Sequence, residues 1–414
     1  MSFRCLIGKC RTGFIISIVS LCGCCNVKDC ADKRPLDNSP GYQVAVYYFP
    51  QWHVDPWNES WKGEGWSEWV TLKEAQPRVE GHLMPKVPLW GYEDESDPDA
   101  MARKIDAAAD HGIDLFLWDW YWLVPTEGYT GGAEWEGPFL EAALEKGFMN
   151  ATNNHRIKFA IMWANHDLGN FFPGHVDRDN FEKITQYCID NYFSHPSYYR
   201  VDGKPYFSFY MIESLIKGLG SAENVRVALN DFRQRTIEAG FPGLHINGVN
   251  WGTGYPGNSN PPLEIKTTIA KTVNLDSIDD YTWIHNYFFE GFPITEYDWA
   301  KNKAVEYWAK AVAAYEIPYH PNVTMGWDPS PRCPADMQLE KNKYPCSQMI
   351  IDNTPDEFKS ALAAARDFLD NNPECENMVS IYAWNEWTEG GYLEPDTDYG
   401  YQYLQAIKET FGKK

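Results

Sequence analysis

From residue 43 onward the chain alternates between short apolar or aromatic runs and longer stretches in which apolar residues recur every three or four positions. The short runs fall at 43–49 (QVAVYYF), 113–119 (IDLFLWD), 157–163 (IKFAIMW), 205–211 (PYFSFYM), 243–249 (GLHINGV), 275–281 (LDSIDDY), 321–326 (PNVTMG) and 378–384 (MVSIYAW). Most are near-continuous, the pattern of strands buried on both faces. Amphipathic helical segments lie between them at about 97–111, 136–148, 178–194, 221–239, 261–272, 297–316, 355–370 and 400–411. The first opens with Ser96-Asp97-Pro98, a cap followed by a proline, and another opens with Thr354-Pro355-Asp356-Glu357, where Glu357 completes a capping box. Eight strands each followed by a helix predict an α/β fold: a single (β/α)8 TIM barrel over residues 42–414. An open doubly wound sheet shares the alternation, but no Gly-x-Gly-x-x-Gly follows the first strand. The stretch from Pro50 to Glu95, a long β1–α1 loop, exceeds an ordinary connection and reads as a functional loop.

Composition adds a function class. Hydrophobic residues are 44% and charged residues 23% of the 414, enough for a sizeable core. The aromatic share of 15%, with 18 Trp and 25 Tyr, exceeds what a core requires, and many of these residues stand beside Gly, Asn, Asp or Glu. Aromatic faces next to polar groups suit sugar rings, which stack their C–H faces and hydrogen-bond through their hydroxyls; on composition alone a large aromatic core is the alternative. A net charge of −22 argues against nucleic acid and against anionic membrane surfaces as partners.

The N-terminal stretch is read as a signal rather than as fold. Arg4, Lys9 and Arg11 precede an apolar run from Gly13 to Leu21 that is too short to span a bilayer. It ends in Leu21-Cys22-Gly23-Cys24, which resembles a bacterial lipobox. Residues 1–23 are therefore expected to be a signal peptide, with Cys24 lipidated and 24–41 a linker. The protein is then expected at the bacterial cell envelope, touching membrane through its lipid anchor only and monomeric, with plain secretion as the alternative. Six of the ten cysteines lie in this leader; Cys188, Cys333, Cys346 and Cys375 remain, with no Cys-x-x-Cys pair for zinc among them. Cys333 and Cys346 flank a proline-containing loop and could form a disulfide in an oxidising compartment. No metal or other cofactor is expected.

In such a barrel the site lies at the C-terminal ends of the strands. There the sequence places Trp52, His53 and Trp66 in the first loop, then Trp118, Asp119 and Tyr121, Asn165 and His166, Tyr210, Trp327 and Asp328, and Trp384 and Asn385. These are the candidate substrate contacts. Glycosidic cleavage needs one group to protonate the leaving oxygen and another to supply or activate a nucleophile, and two carboxyls usually share the task. Glu386 and Glu389 in "WNEWTEGG" meet that requirement if the chain turns after Trp387, a freedom that Gly390-Gly391 provides. The competing interpretation is a short helix capped by Asn385 or Thr388 whose N-terminus the glutamates favour.

These segments also carry a family resemblance. "WNEWTEGGYLEPD", "WKGEGWSEW", "WAN", "GKPYFSFY" and "GWDPSPR" are similar to the WbsX-like group, relatives of glycoside hydrolase family 99, over essentially residues 42 to 411. The resemblance implies a retaining (β/α)8 hydrolase acting within α-mannan-like polysaccharides or glycans. It further implies that Glu386 takes the proton of the substrate's own 2-hydroxyl while Glu389 serves as acid/base. Glu389 would then need a raised pKa and Glu386 would stay ionised. Where the group usually has an acidic residue after Trp-Ala-Asn this chain has His166, and the segment after the second strand carries Asp119, which leaves the sugar open. A surface-polysaccharide glycosyltransferase and a non-catalytic glycan-binding lipoprotein are the rival functions.

Overall fold

The computed structural model describes residues 41–124, 129–130, 136–168, 174, 176–254, 261–286 and 289–412. The signal, Cys24 and the linker up to residue 40 lie outside them. Parallel strands β1 (Gln43–Tyr48), β2 (Leu115–Leu123), β3 (Lys158–Trp163), β4 (Lys204–Met211), β5 (His245–Gly252) and β6 (Ser277–Asp279) pair in sequence order. β7 comes in two pieces, Tyr319–His320 on β6 and Asn322–Thr324 on β8 (Met378–Tyr382), and β8 pairs back onto β1. Pro321 divides β7 because it has no N–H to give the ladder, while its carbonyl still accepts from the Ser380 amide at 3.0 Å. Nine parallel segments thus fill eight barrel positions.

The outer helices are α3 (Pro98–Asp110), α4 (Arg178–Asn191), α5 (Ile212–Leu219), α6 (Ala222–Glu238), α7 (Leu263–Val273), α8 (Tyr297–Ala314), α9 (Pro355–Asn371) and α10 (Gln402–Phe411). Asp97, rather than Ser96, caps α3 through the Asp99 amide, and Thr354 caps α9 through the Glu357 amide. One predicted element differs. At 136–148, Gly137–Phe139 pairs antiparallel with Tyr121–Leu123, and only Ala143–Phe148 is helical, as a π-type turn. Gly137, with φ 143°, and the N–H-less Pro138 interrupt the apolar period, and the extra pairing carries β2 four residues beyond its expected end.

The barrel interior is partly polar. Asp279 accepts hydrogen bonds from the Tyr47 hydroxyl and from Asn247 Nδ2, and Asn247 also bonds Ser208 and Ser277. Every member is fully or almost fully buried, and burial pushes the Asp279 carboxyl up to about 7. Above the barrel the long first loop folds as α1 (Pro56–Lys62) and α2 (Glu68–Glu74). Asp55 pins it by accepting from the amides of Trp57 (2.8 Å) and Leu140 (3.0 Å), and Trp69 packs on Trp52 with ring centroids 4.1 Å apart.

Candidate active site

The segment after β8 turns back on itself. Asn385–Glu386 pairs antiparallel with Gly391–Tyr392 across a 3₁₀ turn at Trp387–Glu389. The two glycines are required by close approach as much as by freedom. Gly390 has φ 71°, and a Cβ on it would stand 2.8 Å from the Asp328 amide; one on Gly391 would stand 2.3 Å from the Tyr382 ring. Beneath the turn, Glu394 accepts from the indoles of Trp384 (3.0 Å) and Trp387 (2.8 Å) and pairs with Lys104 at 2.6 Å. The fully buried Glu95 accepts from the Tyr48 hydroxyl, the Trp52 amide and Asn385 Nδ2. Asn385 in turn bonds both the amide and the carbonyl of Phe49 at 2.8 Å. This buried frame fixes where the two glutamates point.

Glu386 and Glu389 converge on one guanidinium. Arg332 Nη2 lies 2.6 Å from Glu386 Oε1, Nη1 bonds Glu389 Oε1, and Nε lies 3.0 Å from Glu68 Oε1. Glu389 also accepts from the hydroxyls of Tyr344 (2.8 Å) and Tyr382. Glu68 is held from the other side by Thr388 Oγ1 at 2.9 Å, so the first loop is tied to the reactive turn. Burial pushes the Glu386 carboxyl well above the usual carboxylate range, reinforced by Glu389 and Asp119 and opposed by Arg332. Burial of Glu386, at 2% exposure, therefore works against the expectation that it stays ionised.

The pair opens into a cavity of about 720 Å³. Of the expected contacts, Trp66, Tyr121, His166, Tyr210 and Trp327 line it together with Glu386 and Glu389. The others do not line it. Trp52, Trp118 and Trp384 are buried against Trp69, Tyr48 and Phe116 respectively. His53 sits beside Glu95, Asn165 bonds the Met211 backbone, and Asn385 bonds that of Phe49. Asp328 is occupied by His82 Nε2 at 2.8 Å and by the Ser330 amide, a turn brace rather than the expected substrate contact. Asp119 is 3% exposed and accepts from Tyr281, which does line the cavity. Aromatic–polar strand ends mark both the cavity wall and the layer behind it, and only packing separates the two.

Both cavity histidines are held neutral. Burial lowers the His166 pKa and pushes His285 down to about 3. His166 packs on Tyr210 with centroids 4.3 Å apart. Among the described residues no group of three or more His, Cys, Asp and Glu side chains is arranged to hold a metal ion, and no helix is long and apolar enough to cross a membrane. Cys333 and Cys346 are joined as a disulfide, while Cys188 and Cys375 are buried free thiols. In the sequence Arg332 and Glu68 stand out only as parts of the motifs "GWDPSPR" and "WKGEGWSEW", and nothing there singles out Tyr344, Tyr382, Glu95 or Lys104. The nearest signal was the joint occurrence of "GWDPSPR" and "WSEW" with the glutamate motif.

Comparison with known proteins agrees with this architecture. The family model described as Glycosyltransferase WbsX matches residues 44–407. Uncharacterized protein WxcX of Xanthomonas campestris pv. campestris strain B100 is 25% identical over 385 residues, 89% of this chain and 49% of that protein. The chain thus spans about half the length of the curated relatives it matches. Among solved structures, one titled glycoside hydrolase-like protein aligns with TM-score 0.57 and 18% identity, covering 90% of this chain and 95% of its own. The glycoside hydrolase family 99 endo-α-mannosidase of Bacteroides thetaiotaomicron, in complex with bis-tris-propane, aligns with TM-score 0.54 and 14% identity over 90% of this chain and 96% of its own. At such identities these structures share the TIM-barrel fold. With a match over nearly the whole barrel, the chain belongs to the WbsX family.

Proposed function

We propose that this chain is a retaining glycoside hydrolase acting on an α-linked polysaccharide or glycan, α-mannan-like in chemistry. The observation that carries the reading is the convergence of Glu386 and Glu389 on the Arg332 guanidinium in the wall of an aromatic cavity. Glu386 Oε2 has no hydrogen-bond partner among the described residues and is the oxygen that can reach a substrate hydroxyl. In the proposed reaction the 2-hydroxyl gives its proton to Glu386 and its oxygen closes on the anomeric carbon. The glycosidic oxygen leaves with a proton from Glu389. Water then opens the epoxide at the anomeric carbon, giving a proton to Glu389, and Glu386 returns its proton to O2. For Glu389 to carry a proton at the first step, Arg332 must turn toward Glu386, which strengthens as an anion once its own proton is gone. Tyr121, Tyr210 and Tyr281 line the cavity and supply aromatic surface for a sugar ring.

Glu389→Gln is expected to lower kcat/KM by about 10²–10⁴-fold on substrates with poor leaving groups and far less on activated aryl glycosides, as read by product release. An equal loss on both would rule out the acid role. Glu386→Gln should remove turnover of either substrate while the circular dichroism spectrum stays unchanged. The family description favours a second reading, transfer from a sugar nucleotide. Incubating the protein with α-mannan and with a nucleotide sugar plus acceptor, and weighing the products, separates the two: shortened oligosaccharides support hydrolysis, and an extended acceptor with free nucleotide supports transfer.

A further inference from the structure

Of the charged side chains lining the cavity, Glu68, Arg332, Glu386 and Glu389 are consumed in one cluster, and both histidines are neutral. Among the described residues Lys62 is the remaining charge. Its ammonium lies 4.3 Å from the Trp61 ring centroid and 5.3 Å from that of Trp66, two indoles that line the same cavity 6.5 Å apart. Among the described residues no carboxylate stands within ion-pair distance of it. The acid on its own helix, Glu59, accepts from the Gly65 amide at 2.7 Å. A lysine in a last helical turn gains a little from the carbonyl ends there, but α1 has only seven residues and a correspondingly weak dipole. In a chain of net charge −22 an unpaired cation facing the cavity is out of keeping with the surface around it.

We propose that Trp61, Lys62 and Trp66 form a binding site for an acidic group (carboxylate, sulfate or phosphate ester) on a glycan whose neighbouring residue reaches Glu386 and Glu389. The site rests on the cavity being a glycan site and adds the charge of its ligand. The ammonium covers the two indole faces when the cavity is empty. An anion drawn to Nζ lifts it off them, and the sugar ring carrying that anion takes its place on the exposed aromatic surface. Placement supports this: Trp66 is two residues from Glu68, which bonds the same Arg332 as the reactive pair, so the site adjoins the reaction centre. Asp55 fixes the start of α1, so the site is built rather than loose.

The test is affinity electrophoresis of the full chain carrying Glu389→Gln, so that binding is read without turnover. Gels would contain matched polymers: de-esterified and methyl-esterified polygalacturonate, sulfated and desulfated fucan, phosphorylated and dephosphorylated mannan. At least one acidic polymer should retard the protein with a Kd about tenfold below that of its neutral twin. Adding Lys62→Ala should abolish that difference, Lys62→Arg should keep it, and raising salt from 50 to 300 mM should shrink it as the Debye length falls. No preference for any acidic polymer, or a preference that survives Lys62→Ala, overturns the proposal. Whether the wild-type protein releases products from any polymer is read separately, so loss of the hydrolase reading and loss of this one are told apart.

Discussion

Arg332 is the residue on which the site turns. Four of its five N–H donors meet Glu68, Glu386, Glu389 and the Tyr344 hydroxyl, and a planar fork can do this where a point charge cannot. Arg332→Lys is therefore expected to lower kcat by at least about 100-fold, the scale of losing one electrostatic group in a preorganised site, while leaving the fold intact. The pH profile gives an independent reading. In the proposed reaction Glu386 must lose its proton to act as base, and since its carboxyl lies above the usual range, the acid limb of kcat/KM should fall above an ordinary carboxylate pKa of about 4.3. Arg332 holds that carboxyl down, so Arg332→Met should move the limb to higher pH. A limb that stays in place, or moves to lower pH, would mean that Glu386 is not the group being titrated.

Among the elements, the loop from Cys333 to Cys346 contributes most beyond its length. Arg332 immediately precedes it and Tyr344 lies near its end, so two of the donors to Glu389 are set by one disulfide-closed segment. Arg78, from the long first loop, bonds the carbonyls of Cys333, Pro334 and Met337, and so ties the two loops together. Opening the bridge with Cys333→Ser and Cys346→Ser frees a loop of 13-residue separation, worth about 3 kcal/mol by chain entropy. The expected result is a melting temperature only a few degrees lower but a kcat reduced by about tenfold or more. A variant that lost stability and kept its rate would show the bridge to be structural alone. Elements without such cross-links followed sequence more simply. α3 and α9 begin where their caps and prolines placed them, whereas 136–148 failed because Gly137 and Pro138 break a pattern that apolar spacing alone could not reveal.

For the molecule as a whole, the buried carboxyl of Asp279 couples the barrel interior to pH. Its pKa of about 7 exceeds the unfolded value of 3.8, so between these the native state holds more protons than the unfolded chain. The stabilisation is complete below about pH 3.8 and is lost as pH rises through 7. Asp279→Asn should flatten the fall in melting temperature between pH 5 and pH 8, followed by differential scanning fluorimetry; a slope equal to wild type would place the titrating group elsewhere. The same low-dielectric interior that raises Asp279 raises Glu386 at the barrel mouth, so fold and chemistry draw on one physical effect.

The amino-acid sequence alone determined the number and order of barrel strands, because strands buried on both faces must be written in continuous apolar runs whatever surrounds them. It also marked "WNEWTEGG" as two carboxyls on a turn. Tertiary structure alone decided which strand-end residues face the cavity: Trp118 and Tyr121 belong to one strand, yet one is buried against Tyr48 and the other lines the wall. It alone brought Arg332, Glu68 and Tyr344, distant in sequence, into one cluster with Glu386 and Glu389, and it buried Glu386 deeply enough to raise its carboxyl. Burial and partner geometry set those properties, and neither is a property of local sequence.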